Sequence, residues 1–309
     1  MPCHIYTEGL PEAPTPVPAW GSLPLDIYLL EQWATPHSDL PDELPNQRRK
    51  RLVRQWLNLG TMAREPYFAR SETEPAQPTQ QQIDTILLRL RPDSLRRYAA
   101  GYRDRVGNEG MWVRTCYKVE NEEAHTALWD KYVDISQVIS PDSLVLEDKA
   151  LFDNAHTDRI LELFLERVTN HCAPEDVAWR EKQLADLFQE VREYGDEEEV
   201  FGPEEQGLGL SPEEICRKYW NYHADCVVNH FFIEDGNAQR DKGLLHVFLD
   251  DCGNVVRQMR VYSDEVDNFD GAWAEGHWKE GWCYLNGEIG EAYLPGGSRG
   301  PPYRRFWCR

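Results

Sequence analysis

Between Gly107 and Gly110 the hydrophobic rhythm of the chain changes from the helical period of about 3.6 residues to the strand period of two. Before it, Leu52, Trp56 and Leu59 fall on one face of Arg48–Leu59, and Ile83, Ile86, Leu87 and Leu90 fall on one face of Gln80–Leu90. After it, Trp112-Val113-Arg114-Thr115-Cys116-Tyr117-Lys118-Val119 alternates and is rich in strand formers. A chain that changes period in this way cannot be all helix or all sheet. With 309 residues there is length for one large domain or two ordinary ones, and ample core material.

The first 24 residues carry Pro11, Pro14, Pro16, Pro18 and Pro24, which excludes a long helix or a central strand and predicts an extended arm. Residues 25–106 read as a helical region. A short helix is expected over Leu25–Trp33, before Pro36, Pro41 and Pro45. Ser71–Thr79 reads as a polar linker, and another helix is expected over Ser94–Tyr102. This region is locally basic: residues 46–105 hold thirteen Lys/Arg against six Asp/Glu, a surplus of +7 that leaves −28 on the rest of a chain of net charge −21. The expectation is a helical layer whose cations face an acidic body. The rival is a nuclear import signal in Arg48–Arg54.

Residues 107–294 form the expected α+β body. Asn121 is placed to cap a helix running to Ile135, with Glu122 and Glu123 in the first turn, where the helix dipole favours acids. Leu144-Val145-Leu146 predicts a strand ending at Glu147-Asp148, and His156–Val168 has helical spacing. Pro174–Tyr194 reads as a long helix, residues 196–206 as an acidic loop, and Ser211-Pro212-Glu213-Glu214 as a capping box opening a helix to about Cys226. His230–Glu234, Leu244–Asp250 and Val255–Tyr262 predict strands, the last two joined by turn chemistry at Asp251-Cys252-Gly253-Asn254. Residues 295–309 are a basic Gly/Pro tail. The class is therefore α+β: a helical N-terminal region followed by a mixed or antiparallel sheet packed with helices, a sandwich of ferredoxin-like type.

Trp112–Val168, with its aromatic strand, acidic helix, Leu144-Val145-Leu146-Glu147-Asp148 and the run from Ala150 through Arg159 into an apolar helix, resembles a family of uncharacterised filamentous-fungal proteins. The resemblance implies a fungal origin and an α+β sandwich. It brings no activity with it and no functional residue.

Net charge −21 and a pI near 4.8 repel phosphate backbones and anionic lipid heads, which argues against nucleic-acid and membrane-surface partners. The N-terminus lacks the basic start and apolar run of a secretory signal, and eight scattered cysteines do not make a disulfide framework. The expected setting is the reducing cytoplasm, with entry to the nucleus if Arg48–Arg54 acts as a signal.

Candidate chemistry gathers where tryptophans crowd. Trp273, Trp278 and Trp282, with Tyr284, either build an aromatic core layer or wall a pocket for a flat organic ligand. On a strand, Glu275 and His277 project to the same face as Trp273. A carboxylate beside an imidazole fixes its tautomer and raises its basicity, which suits a general base; the rival is an exposed polar strand face. His223, Cys226 and His230, with Cys216, would share a face on one continuous helix, but their spacing matches no closed zinc site and they read as core. Glu234-Asp235 and Asp250-Asp251 each end a predicted strand. Turn chemistry is their default, although converging strand ends can bring carboxylates together. No phosphate-binding glycine loop and no nucleophile motif is present, so no cofactor and no metal are expected. Two functional classes follow. The first is an enzyme of cyclase, isomerase or lyase type that needs no cofactor, acting on a small organic ligand through His277 and Glu275. The second is a non-catalytic acidic adaptor that binds a basic protein partner.

Overall fold

The computed structural model describes residues 4–5, 17–35, 43–91, 95–96, 111–135, 144–165, 182, 223–224, 226–240, 242–262, 287–294 and 297–299. Helices α1 (Pro24–Ala34), α2 (Pro45–Asn58), α3 (Gly60–Thr73) and the single turn α4 (Gln80–Gln82) make the N-terminal region. Proline opens both α1 and α2, at the position where a missing N–H costs nothing. Thr79 and Gln82 cap α4 reciprocally, and α4 widens into a π-helical turn at Ile83–Leu87. Leu25, Tyr28, Leu29, Leu52, Trp56 and Phe68 close a core of their own.

The expected helix over Arg48–Leu59 is α2, but α3 has no counterpart in the sequence reading. Gly60 and Pro66 conceal it. Gly60 takes φ +69° and turns the chain sharply between two helices, and Pro66 sits within α3 itself.

The body is a mixed sheet in the order β1-β3-β2-β4-β5-β6-β7. Its strands are β1 (His4–Ile5), β2 (Met111–Arg114), β3 (Leu144–Glu147), β4 (Asn229–Glu234), β5 (Leu244–Leu249), β6 (Val255–Val261) and β7 (Glu288–Ile289). Helix α5 (Glu122–Ile135) joins β2 to β3, followed by α6 (Lys149–Phe152) and α7 (Thr157–Leu163). The protein is α+β with a helical N-terminal region and a mixed sheet. β2 pairs in parallel with β3 on one side and β4 on the other, whereas β5, β6 and β7 continue antiparallel.

Side chains alternate across the sheet. Met111, Val113, Leu146, Phe231, Ile233, Val247 and Leu249 pack on one face against Phe152, Ile160, Leu161 and Phe164 of the α6–α7 segment. Trp112, Phe232, Leu244, Met259 and Val261 face the other way, with Leu128 and Trp129 of α5 against them. The strand expected over Trp112–Val119 is only four residues long. After Arg114 the chain turns off the sheet, with the Arg114 Nε donating to the Cys116 carbonyl at 3.0 Å. Asn121 does not cap α5; its Nδ2 reaches the Cys116 sulfur at 3.6 Å.

The basic residues of the helical region serve mostly that region. Arg51 pairs with Glu43, Arg70 with Glu31 and the buried Arg96 with Asp26, while Arg96 also stacks over Trp20 at 3.8 Å. Among the described residues, Arg64 and Arg91 do reach the body: Arg64 donates to the Asp251 carbonyl and Arg91 to that of Leu163. In Arg48–Arg54, Arg49 is buried and Arg51 is paired, so the run does not present one exposed strip.

Candidate functional site at the carboxyl ends of the parallel strands

Each of the three parallel strands ends on a charged residue: β2 on Arg114, β3 on Glu147 and β4 on Glu234. The register sets them side by side. Arg114 is the direct partner of Glu234, and Val113 is the partner of Leu146, so Glu147 comes level with Arg114 on the other side. By alternation all three side chains project from the face that carries Trp112 and α5. The strand order also reverses here, because β3 lies to one side of β2 and β4 to the other. Ligands of open α/β sheets bind outside the carboxyl ends of strands at such a reversal.

Helix α5 lays His125 over this row. Its Nδ1 lies 2.8 and 2.9 Å from the two oxygens of Glu234, and its Nε2 lies 2.7 Å from Oε1 of Glu147. With a carboxylate at each ring nitrogen, both nitrogens are donors and the ring is an imidazolium. Burial opposes that charge, but hydrogen bonds and attraction from Glu147 and Glu234 outweigh it and raise the pKa to about 9. Burial likewise works to raise the Glu147 carboxyl, and His125 and then Arg114 overcome it and hold the group below the usual carboxylate range.

The same Oε1 of Glu147 also accepts from Arg114 Nη1 at 3.1 Å, so one oxygen bridges two cations. Arg114 Nη2 donates to Glu122 at 2.7 Å, and its guanidinium lies over the Tyr117 ring at 4.7 Å. Behind His125, Glu234 is fully buried and accepts from Trp112 Nε1 at 3.1 Å and Gln239 Nε2 at 2.7 Å. Gln239 Nε2 also donates to the Cys116 carbonyl, whereas its Oε1 is buried without a hydrogen-bond partner. Trp112 and Trp129 pack edge to face beside the cluster. Exposure falls inward along the relay: 55% for Glu122, 14% for Glu147, 8% for His125 and none for Glu234. An imidazole oriented through Nδ1 by a buried carboxylate, with Nε2 toward the wetter side, is the arrangement that moves a proton at Nε2.

Of the residues singled out in the sequence, Trp273, Glu275, His277, Trp278, Trp282 and Tyr284 lie outside the described residues, as do Ser211 and Cys216. His230 stands on β4 and does not continue the helix of His223 and Cys226; its Nδ1 lies 2.8 Å from Nε2 of His246. The described residues hold no group of three or more His, Cys, Asp or Glu arranged for a metal ion, and no helix among them is long and apolar enough to cross a membrane. Cys116, Cys226 and Cys252 are thiols.

Glu234 and Glu147 do not touch each other; they flank the His125 ring from strand ends on either side of β2. Asp235 pairs instead with Arg260 at 2.7 Å. Antiparallel pairing of Asn229 with Leu249 sends Asp250 to the far end of the sheet. There Asp250 is buried in its own turn, accepting from the Cys252 and Asn254 amides and from the Tyr293 hydroxyl, while Asp251 accepts from the Thr61 amide at the start of α3. A cleft of about 460 Å³ opens beside that turn, lined by Asp158, Asn254, Glu291 and Ser298, away from the His125 cluster. Arg114 and His125 were missed as site residues because each belongs to an ordinary amphipathic pattern. Only the parallel register brings them together.

No family model, curated protein or solved structure matches the chain.

Proposed function

We propose that the protein is an enzyme of isomerase, lyase or cyclase type that acts on a small organic molecule by proton transfer at the carboxyl ends of β2, β3 and β4. One observation carries this reading: an imidazolium is held between a fully buried carboxylate and a partly exposed one at the reversal of strand order. His125 Nε2 donates a proton to the substrate oxygen on which charge develops, and Glu147, released from that nitrogen, takes the proton from the neighbouring carbon. Arg114 supports the developing anion. Glu234, with Trp112 and Gln239 behind it, holds the ring. The sequence had suggested the same chemistry, a His/Glu pair beside tryptophan, for Glu275 and His277; the described pair is His125 and Glu147 beside Trp112 and Trp129.

The test is solvent exchange. Small 2-oxo acids, 2-hydroxy acids and neutral ketones are incubated with the protein in deuterated water, and carbon-bound protons are followed by NMR. Exchange beside the carbonyl or hydroxyl is expected, with a loss of about 100-fold or more in His125→Gln and in Glu147→Gln. Exchange no faster than in buffer across the panel, or undiminished in both variants, overturns the reading. Net charge −21 favours the second reading, a non-catalytic adaptor for a basic protein, which requires salt-sensitive binding of a cationic peptide such as polylysine.

A further inference from the structure

We infer that Arg114 and His125 form a cradle for a carboxylate, that Glu147 occupies it in the resting protein, and that the substrate is a small organic acid whose carboxylate takes the place of Glu147. The inference rests on the acid–base reading above and names its substrate class. Its ground is the geometry of one oxygen. Oε1 of Glu147 is the shared acceptor of His125 Nε2 at 2.7 Å and Arg114 Nη1 at 3.1 Å, two cationic donors supplied by different elements.

Both donors are held from behind independently of Glu147. His125 is fixed through Nδ1 by Glu234, and Arg114 by the Cys116 carbonyl and Glu122. Removing the Glu147 carboxylate therefore leaves two oriented donors converging on one empty point. Glu147 is the replaceable member of the group. It stands at the end of β3, it is more exposed than His125 or Glu234, and its second oxygen takes no hydrogen bond among the described residues.

An incoming carboxylate offers Arg114 and His125 the same kind of acceptor that Glu147 gives them. A neutral ligand would give these two donors a weaker, uncharged acceptor, and an amine would set a third cation beside them. Exchange also frees Glu147 next to the bound acid, where the proton-transfer reading needs a base. The negative charge formed on the substrate carboxylate as the carbon proton leaves would be met by the same two donors.

The test is chemical rescue. Glu147→Ala is titrated with sodium acetate, with sodium chloride and acetamide as controls, and melting temperature and the His125 ring nitrogen shifts are recorded. Acetate should restore more than half of the lost melting temperature in a saturable way and move the Nε2 resonance, whereas acetamide and chloride do neither. Combining Glu147→Ala with Arg114→Gln should weaken acetate binding at least tenfold. Equal effects of acetamide and acetate, or undiminished rescue in the double variant, overturn the inference. If Glu147→Ala does not fold, the same titration is made on Glu147→Gln, where acetate must still shift His125 Nε2 and acetamide must not. Rescue without solvent exchange for any acid would leave the cradle standing and sink the acid–base reading. Exchange confined to neutral ketones, without rescue, would do the reverse.

Discussion

His125 shows how a single residue acquires a role from its neighbours. In water an imidazole is mostly neutral at pH 7, and burial alone would make it more so. Here one buried carboxylate and one partly exposed carboxylate reverse that preference and lift the pKa to about 9. The ring is therefore expected by NMR to remain protonated through neutral pH and to titrate near pH 9. Glu234→Gln removes the charge behind Nδ1 but keeps the shape, so the pKa should fall by at least about one unit, equivalent to about 1.4 kcal/mol. A titration in Glu234→Gln that matches the wild type would show that Glu234 does not support the charge. Trp112→Phe is the milder probe. It deletes one donor to Glu234 and should cost about 1.5–3 kcal/mol of stability, since the acceptor is charged and buried.

At the scale of elements, the parallel trio is short and rests on how the strands begin and end. β5 begins after Gly243, where φ is +77° and an added Cβ would stand 2.5 Å from the Val261 carbonyl oxygen of the adjacent strand. Gly243→Ala must therefore displace backbone as well as bear an unfavourable φ. It should cost on the order of 2–3 kcal/mol in chemical denaturation, with a loss below about 0.5 kcal/mol showing that the strand start is loose. Most elements were legible in the sequence. α1, α2, α5, β3, β4, β5 and β6 all fall where period and turn chemistry put them, because those signals are local. α3 was not legible, since Gly60 and Pro66 read as breakers while its stability comes from packing and from Asp251 across the chain. Of the site, Glu147 and Glu234 were visible as strand ends. Their placement on either side of His125, with Glu147 also on Arg114, was not, because parallel register links residues that lie 33 and 120 positions apart along the sequence.

Across the whole molecule, the start of α3 ties the helical layer to the turn after β5 through polar contacts. Arg64 donates back to Gly60 and across to the Asp251 carbonyl while lying over Trp56, and the Asp251 carboxylate receives the Thr61 amide. Arg64→Met keeps the buried stem and removes those donors, so it should cost about 1–3 kcal/mol and loosen the layer before the sheet in hydrogen exchange. Exchange rates that rise equally in both parts would show that layer and sheet open as one unit.

Titration gives stability its pH dependence on both sides of neutrality. The folded-state pKa of His125 is raised above its unfolded value of about 6.5, so its contribution is complete below that pH and is lost as pH rises through about 9. The shift corresponds to on the order of 3 kcal/mol. His223 and His246 act in the opposite sense. Burial, and then the Arg257 charge, holds His223 down at about 3, while burial and then His230 keep His246 well below its ordinary value. Both rings remain neutral in the folded protein while the unfolded chain takes up protons, so stability falls as pH drops below about 6.5. The melting temperature should therefore peak between about pH 6 and 7 and decline on both sides. His125→Gln should be less stable at neutral pH yet nearly level from pH 7 to about 8.5, because the group that loses its proton there is gone and the Cys252 thiol, raised by burial to about 11, adds its own loss only at higher pH. His246→Phe should lessen the slope on the acid side alone and leave the part that His223 carries. A wild-type melting temperature that does not fall between pH 7 and about 8.5, or an equally steep fall in His125→Gln over that range, would mean that His125 does not carry its charge in the folded protein, and the proton-transfer reading would lose its donor.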